Sequence, residues 1–110
     1  MYEIKTKVRF SETDSKSNLT INALVNYLQD IATFHSENSE FSLESMRDKK
    51  MGWMILSWDI KLKRMPVLGE EITLQTMSVG FKGLYAYRDF KVLSGEEVLA
   101  TAHSVWSIID

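Results

Sequence analysis

Two histidines are the side chains best suited to acid–base chemistry in this chain, because imidazole titrates close to neutral pH. His35 falls on the apolar side of a helical pattern, and His103 falls within an apolar strand pattern. Either could act as a general base, and either could instead close the edge of the hydrophobic core. Two histidines this far apart do not form a metal motif such as H-E-x-x-H. We therefore predict no metal site and no cofactor.

Carboxylates near the predicted helix are the next candidates for chemistry. Glu12 and Asp14 precede the helix, and Asp30 and Glu37 lie on it. A carboxylate beside a helix N-terminus can activate water, while unpaired helix amides stabilise a developing oxyanion. The alternative role for Asp14 is that of a loop-capping residue. Together with His35, Asp14 is the candidate catalytic residue.

The composition excludes several classes of function. The sequence has no cysteine, so thiol nucleophiles, disulfides and zinc–thiolate sites are ruled out, and no serine lies in a G-x-S-x-G elbow. A chain of 110 residues with 45 % hydrophobic residues predicts one domain, residues 1–110, with its own core. The net charge of −2 disfavours nucleic acid as a partner. No apolar run approaches the roughly 18 residues needed to span a membrane, and we expect a cytoplasmic protein.

One strong helical pattern positions most of these candidates. Apolar residues recur at helical spacing over residues 20–37, and Thr20 is placed to cap the first turn. A second, shorter helical turn is predicted over residues 43–47. The stripe that must be buried consists of Ile21, Leu24, Val25, Leu28, Ala32 and His35.

Alternating apolar and polar residues predict five strands, at residues 4–10, 53–63, 72–76, 84–93 and 98–109. The turns fall at residues 66–69 and 80–83 and at 94–96. Residues 53–58 are apolar on both faces, which predicts a strand start buried on both sides. Four acidic residues are predicted to be solvated turn residues: Glu70, Glu71, Glu96 and Glu97. One strand, one long helix and four further strands predict an α+β layer in which the helix packs on an antiparallel sheet.

Several stretches of the chain resemble the N-terminal half of the acyl-acyl-carrier-protein thioesterases. Residues 14–35, D-S-K-S-N-L-T-I-N-A-L-V-N-Y-L-Q-D-I-A-T-F-H, are similar to the first helix region of that family. Residues 53–69 resemble its long strand and P-x-x-G turn. Residues 87–90, Y-R-D-F, and 103–110, H-S-V-W-S-I-I-D, continue the likeness. The resemblance covers nearly the whole chain.

The resemblance implies a hotdog fold, in which a curved sheet of about five strands wraps one long helix. In that family two hotdog repeats hydrolyse fatty acyl-acyl-carrier-protein thioesters, and the second repeat carries the catalytic D-x-N-x-H segment. Here the corresponding loop, residues 14–18, keeps Asp14 but has Lys16 for the asparagine and Asn18 for the histidine. The resemblance therefore implies a pocket-forming half without a complete catalytic set.

The same resemblance implies that the helix and the strand at residues 53–58 form an acyl tunnel. The residues expected to bind the acyl chain are Leu28, Ile31, Trp53, Ile55 and Trp58. Two alternatives stay open: a homodimeric acyl-thioester hydrolase, and a non-catalytic module that binds an acyl chain or a carrier protein. Each predicts a second hotdog domain or a second copy as partner, because an isolated sheet leaves an edge strand exposed.

Overall fold

Five strands and two helices make up the computed structural model of the chain, which describes residues 1–37, 39 and 42–110. A single 3-10 turn at Phe10–Glu12 follows the first strand. In chain order the elements are β1 (Tyr2–Lys7), α1 (Ile21–Ser36), α2 (Leu43–Asp48), β2 (Gly52–Leu62), β3 (Glu71–Lys82), β4 (Tyr85–Ser94) and β5 (Glu97–Ile109).

The strands form one antiparallel sheet in the order β1-β3-β4-β5-β2. The three strands β3, β4 and β5 follow one another through short turns. β1 pairs with β3, and β2 pairs with β5, so these two strands occupy the edges. Although β2 directly precedes β3 in the chain, β4 and β5 lie between these two strands in the sheet.

Helix α1 lies on the inner face of this sheet. Its N-cap is Thr20, as predicted, because the threonine hydroxyl accepts a hydrogen bond from the Ala23 amide at 3.1 Å. The buried face of α1 packs with residues from β3, β4 and β5 into one core, and consists of Ala23, Leu24, Tyr27, Leu28, Ile31 and Ala32. Ile21, which was predicted to belong to the buried stripe, is exposed at the start of the helix. This arrangement is the predicted α+β hotdog fold. Within the described part of the chain, no helix is both long enough and apolar enough to cross a membrane.

The ends of two strands differ from the prediction. β1 ends at Lys7, which leaves Phe10 exposed on the 3-10 turn. Val8 is buried and its amide donates to the Glu70 carbonyl at 3.0 Å, and beyond it the chain leaves the sheet. β3 continues through the predicted turn to Lys82, because Gly80 accommodates a bulge at a φ of 134°.

The prediction that β2 begins buried on both faces is wrong. Met54 and Leu56 are exposed, and the pairing with β5 shifts between Ile55 and Ser57. β2 is an edge strand, and the exposure of Met54 and Leu56 shows that no second layer of the described residues covers its outer face. The apolar sequence of this strand start therefore faces outward, where a partner could cover it.

Glu70 is not the solvated turn residue that its position predicted. The Arg64 guanidinium donates to both of its carboxylate oxygens, at 3.0 and 2.7 Å, and the Ser94 hydroxyl donates at 2.6 Å. The hydrogen bonds from Arg64 lower the pKa of Glu70 to about 2. Arg64 also donates to Glu97, which ties the segment before β3 to the start of β5.

Candidate functional site

A cavity of about 350 Å³ lies between the C-terminal half of α1 and the inner face of the sheet. Its apolar wall includes Leu43 from α2, Trp53 from β2, Phe81 from β3 and Trp106 from β5. The bulge at Gly80 brings Phe81 opposite Ala86, whose side chain lies on the inner face of β4. Aromatic and aliphatic walls of this kind accept apolar ligands.

One part of the cavity wall is polar and centres on Arg88. Its Nη1 donates to the Thr76 hydroxyl at 3.2 Å and contacts His35 Nδ1 at 2.9 Å. The Tyr2 ring stacks on the His35 ring, with centroids 5.1 Å apart and planes inclined by 10°. These contacts join β1, α1, β3 and β4 around one guanidinium.

The backbone of β4 explains why a charged residue faces inward here. Inner-face positions alternate along the strand, and Arg88 lies in the same phase as the buried Phe90 and Val92. The buried Ser104 hydroxyl donates to the Arg88 carbonyl at 2.9 Å and accepts from the Trp106 indole N–H at 2.9 Å. The position of Arg88 is therefore fixed by both neighbouring strands.

Electrostatics at this wall favour an anion. Burial lowers the pKa of Arg88 without removing its charge. Burial and the neighbouring Arg88 charge lower the pKa of His35, so its ring is neutral at pH 7. A neutral His35 accepts from Arg88 at Nδ1 and carries its proton on Nε2. No carboxylate is present among the described residues that line the cavity.

The two candidate catalytic residues lie far apart. Asp14 is exposed, and its Oδ1 accepts hydrogen bonds from the amides of Lys16 at 2.9 Å and Asn18 at 3.1 Å. His35 lies in the last turn of α1, whose rise separates it from the Asp14 loop by about 20 Å. Asp14 and His35 therefore cannot act on one bond within a single copy of the chain, and only His35 lines the cavity.

Glu12, the other carboxylate before the helix, is committed to structural contacts. It accepts hydrogen bonds from the Tyr27 hydroxyl and from two nitrogens of Arg9, at 3.0 and 3.1 Å. The Arg9 hydrogen bond lowers the pKa of Glu12, whereas burial raises the pKa of Tyr27 to about 12. These bonds attach the loop to α1.

The residues expected to bind an acyl chain are split between the core and the cavity wall. Leu28 and Ile31 are fully buried in the core. Trp58 packs on the rings of Phe90 and Trp106, and Ile55 lies opposite Trp106 in the register. Of the five, only Trp53 is among the described residues that line the cavity.

His103 lies on the outer face of the sheet, opposite the cavity. Its Nδ1 is 2.5 Å from Asp89 Oδ1, and its ring stacks on Tyr87 with centroids 6.1 Å apart. The two histidines therefore belong to different faces and do not form a pair. Among the described residues, no group of three His, Cys, Asp or Glu side chains could hold a metal ion.

Sequence reasoning missed Arg88 as a cavity residue and Thr76 as its hydrogen-bond partner. One signal was available, since Arg88 interrupts the apolar phase of β4 that Ala86, Phe90 and Val92 share. A charged residue in the buried phase of a strand needs partners, which marks its surroundings as special. The cross-strand contact with Thr76 depended on the bulge in β3, which the sequence pattern did not locate.

Solved structures with the same fold include two thioesterases. An acyl-ACP thioesterase from Bacteroides thetaiotaomicron superposes with a TM-score of 0.92 at 24 % identity, over 99 % of this chain and 45 % of that one. A 1,4-dihydroxy-2-naphthoyl-CoA thioesterase from Synechocystis superposes with a TM-score of 0.87 at 13 % identity, over 98 % and 81 %. At these identities the likeness shows the hotdog fold. A comparison with curated proteins gives no match.

The family comparison covers more than the cavity region. The model of the acyl-ACP thioesterase N-terminal domain matches residues 1–110, which include every element from β1 to β5. The match therefore includes the helix, the whole sheet and the Arg88 wall. The chain belongs to the acyl-ACP thioesterase family, as an example of its N-terminal domain.

Proposed function

We propose that this chain is the acyl-pocket-forming half of a thioesterase that hydrolyses fatty acyl-ACP thioesters. The cavity is the observation that carries the proposal. Its walls, with Leu43, Trp53, Phe81 and Trp106, suit an aliphatic chain, and it opens beside the helix rather than inside the closed core. The family match supports the carrier-bound acyl thioester as the substrate class.

The proposal includes an incomplete catalytic set. Thioester hydrolysis needs a base to activate water and donors for the oxyanion. The Asp14 carboxylate already accepts two amides of its own loop, and His35 lies at the other end of α1. A second hotdog domain would supply the catalytic groups. This chain spans 45 % of the Bacteroides enzyme, which leaves length for such a domain in that protein.

The edge formed by β2 is the proposed contact with that second domain. Met54 and Leu56 are exposed there, and strand addition would pair the free backbone groups of β2 while covering these side chains. We also propose a cytoplasmic location, since a chain without cysteine gains nothing from an oxidising compartment.

Substitution at the cavity wall tests the acyl-pocket proposal. Ala86→Phe adds a ring to the inner face of β4, and Thr73→Phe adds one to the outer face of β3 as a matched control. Binding is measured with acyl-ACPs from octanoyl to stearoyl. We expect Ala86→Phe to shift the preference toward shorter chains and Thr73→Phe to leave it unchanged. Equal shifts in both variants, or no acyl-dependent binding at all, would refute the pocket.

A homodimeric hydrolase is the second candidate. The observation in its favour is that this chain covers 81 % of the Synechocystis thioesterase, so a chain of this size is close to a whole thioesterase subunit there. Release of thiol from acyl-ACP by the chain alone, lost in Asp14→Asn and accompanied by a dimeric mass in light scattering, would favour this candidate. Acyl binding without turnover favours the pocket-forming half or a non-catalytic module.

A further inference from the structure

Arg88 has donors that the protein itself does not use. Both of its hydrogen bonds to described residues leave from Nη1, toward Thr76 and His35. Neither Nε nor Nη2 has an acceptor among the described residues, and neither of these atoms is buried without a partner. One edge of the guanidinium is therefore available to a ligand.

The charge of Arg88 is also unbalanced. Among the described residues, its side chain makes no salt bridge, whereas Arg9 and Arg64 each pair with a carboxylate. A half-buried cation is costly unless it is paired. Its nearest titratable neighbour is His35, which adds no negative charge in any protonation state.

Arg88 lines a cavity that also has an apolar wall. Arg88 lines the same cavity as Trp53 and Phe81, so a ligand there meets a cation and an apolar surface together. The free Nε and Nη2 donors form the fork that matches a carboxylate bidentately. A thioester carbonyl is uncharged and offers a single oxygen, so it cannot use this fork fully.

We propose that Arg88 is a carboxylate-recognition site and that the cavity binds free aliphatic acids in preference to their uncharged esters. This inference rests on the proposed acyl pocket and deepens it, because a free acid is the class of product that thioester hydrolysis releases. Thr76 and His35 act as positioning residues that hold the guanidinium against the wall.

Two ligands that differ in charge separate the contribution of the carboxylate from that of the hydrocarbon. Dodecanoate and methyl dodecanoate have the same hydrocarbon, and their binding is measured by tryptophan fluorescence, since Trp53 and Trp106 line the cavity. We expect the wild-type chain to bind the acid at least about tenfold more tightly than the ester, the scale of one charge-assisted contact. Arg88→Met should reduce this preference to less than about twofold, with ester binding retained.

Lys91→Met is the matched control, because it removes one cation from the exposed outer face of the same strand. An unchanged preference in Arg88→Met, or equal loss in Lys91→Met, would overturn the proposal. Equal binding of acid and ester by the wild type would also overturn it while leaving the acyl pocket intact. Binding of neither ligand would refute the acyl pocket itself.

A measurement on the wild type covers the case in which Arg88→Met does not fold. In ¹⁵N spectra, dodecanoate should shift the Arg88 Nε–H resonance strongly, whereas methyl dodecanoate should not. Equal shifts with the two ligands would show that the guanidinium does not distinguish the carboxylate from the ester. Arg88→Lys keeps the charge but loses the fork, so it should retain only part of the preference.

Discussion

The charge of Glu70 stabilises the fold through its ion pair with Arg64, and replacing Glu70 with glutamine tests that. The side chain is 16 % exposed and its main partner, Arg64, is 39 % exposed. Glutamine can keep one oxygen to accept from the Val67 amide, and its amide nitrogen, in place of Oε2, can donate to the Ser94 hydroxyl. Glu70→Gln therefore removes the negative charge together with the acceptor that Arg64 Nη2 uses.

The size of the effect follows from the pKa of Glu70, which is lowered from 4.5 to about 2, mainly by the Arg64 hydrogen bonds. At about 1.4 kcal/mol per pKa unit, this shift sets a ceiling of about 3.4 kcal/mol. Solvent screening at the exposed side of Arg64 reduces the expected loss to about 1–2 kcal/mol. Since the folded-state pKa is the lower one, this stabilisation is complete above pH 4.5 and is lost as the pH falls toward 2.

Urea unfolding at pH 7 and pH 3 measures the effect. We expect Glu70→Gln to lower the free energy of unfolding at pH 7 by about 1–2 kcal/mol, and by less than half of that at pH 3. Glu71→Gln is the matched control, since Glu71 is exposed and makes no salt bridge with any described residue; it should change the value by less than about 0.5 kcal/mol. A difference between Glu70→Gln and wild type that is independent of pH would refute the reasoning.

Three further substitutions probe the helix and its surroundings by chemical denaturation. Ile31→Ala should lower the free energy of unfolding by about 2–5 kcal/mol because this side chain is fully buried; a loss below 1 kcal/mol would contradict its place in the core. Tyr27→Phe removes the hydrogen bond to the loop carboxylate and should cost about 1–3 kcal/mol, whereas Tyr85→Phe, at an exposed position, should cost almost nothing. Thr20→Ala should cost about 1 kcal/mol and Thr20→Ser much less, since serine keeps the capping hydroxyl; equal losses would exclude the cap.

The elements could be predicted from sequence because their signals are local. Helix α1 was expected at residues 20–37 and runs from Ile21 to Ser36, with Thr20 as its cap, because periodicity and capping depend only on near neighbours. The α+β layer followed from the order of the elements. The bulge at Gly80 lengthened β3 past its predicted turn, since a bulge depends on the pairing with β4 rather than on the strand's own pattern.

The candidate site could be predicted only in part, because its polar wall depends on register. His35 was a candidate from its place on the helix stripe, and Trp53 from its place in an apolar strand. Arg88 joins His35 across 53 positions of sequence, a distance over which no spacing rule applies. Glu70 was misjudged because two of its partners lie outside its own turn: Arg64 precedes it by six positions, and Ser94 lies at the far end of β4.

The strand order also determines how the chain can fold. β3, β4 and β5 are joined by short turns, so their pairing closes only small loops, whereas β1 and β2 reach their partners across long stretches of chain. We therefore expect the central three-strand meander to form first and both outer strands to dock late. Native-state hydrogen exchange should accordingly be slowest in β4 and fastest in β2, so the strand proposed to meet a partner is also the one that opens most readily.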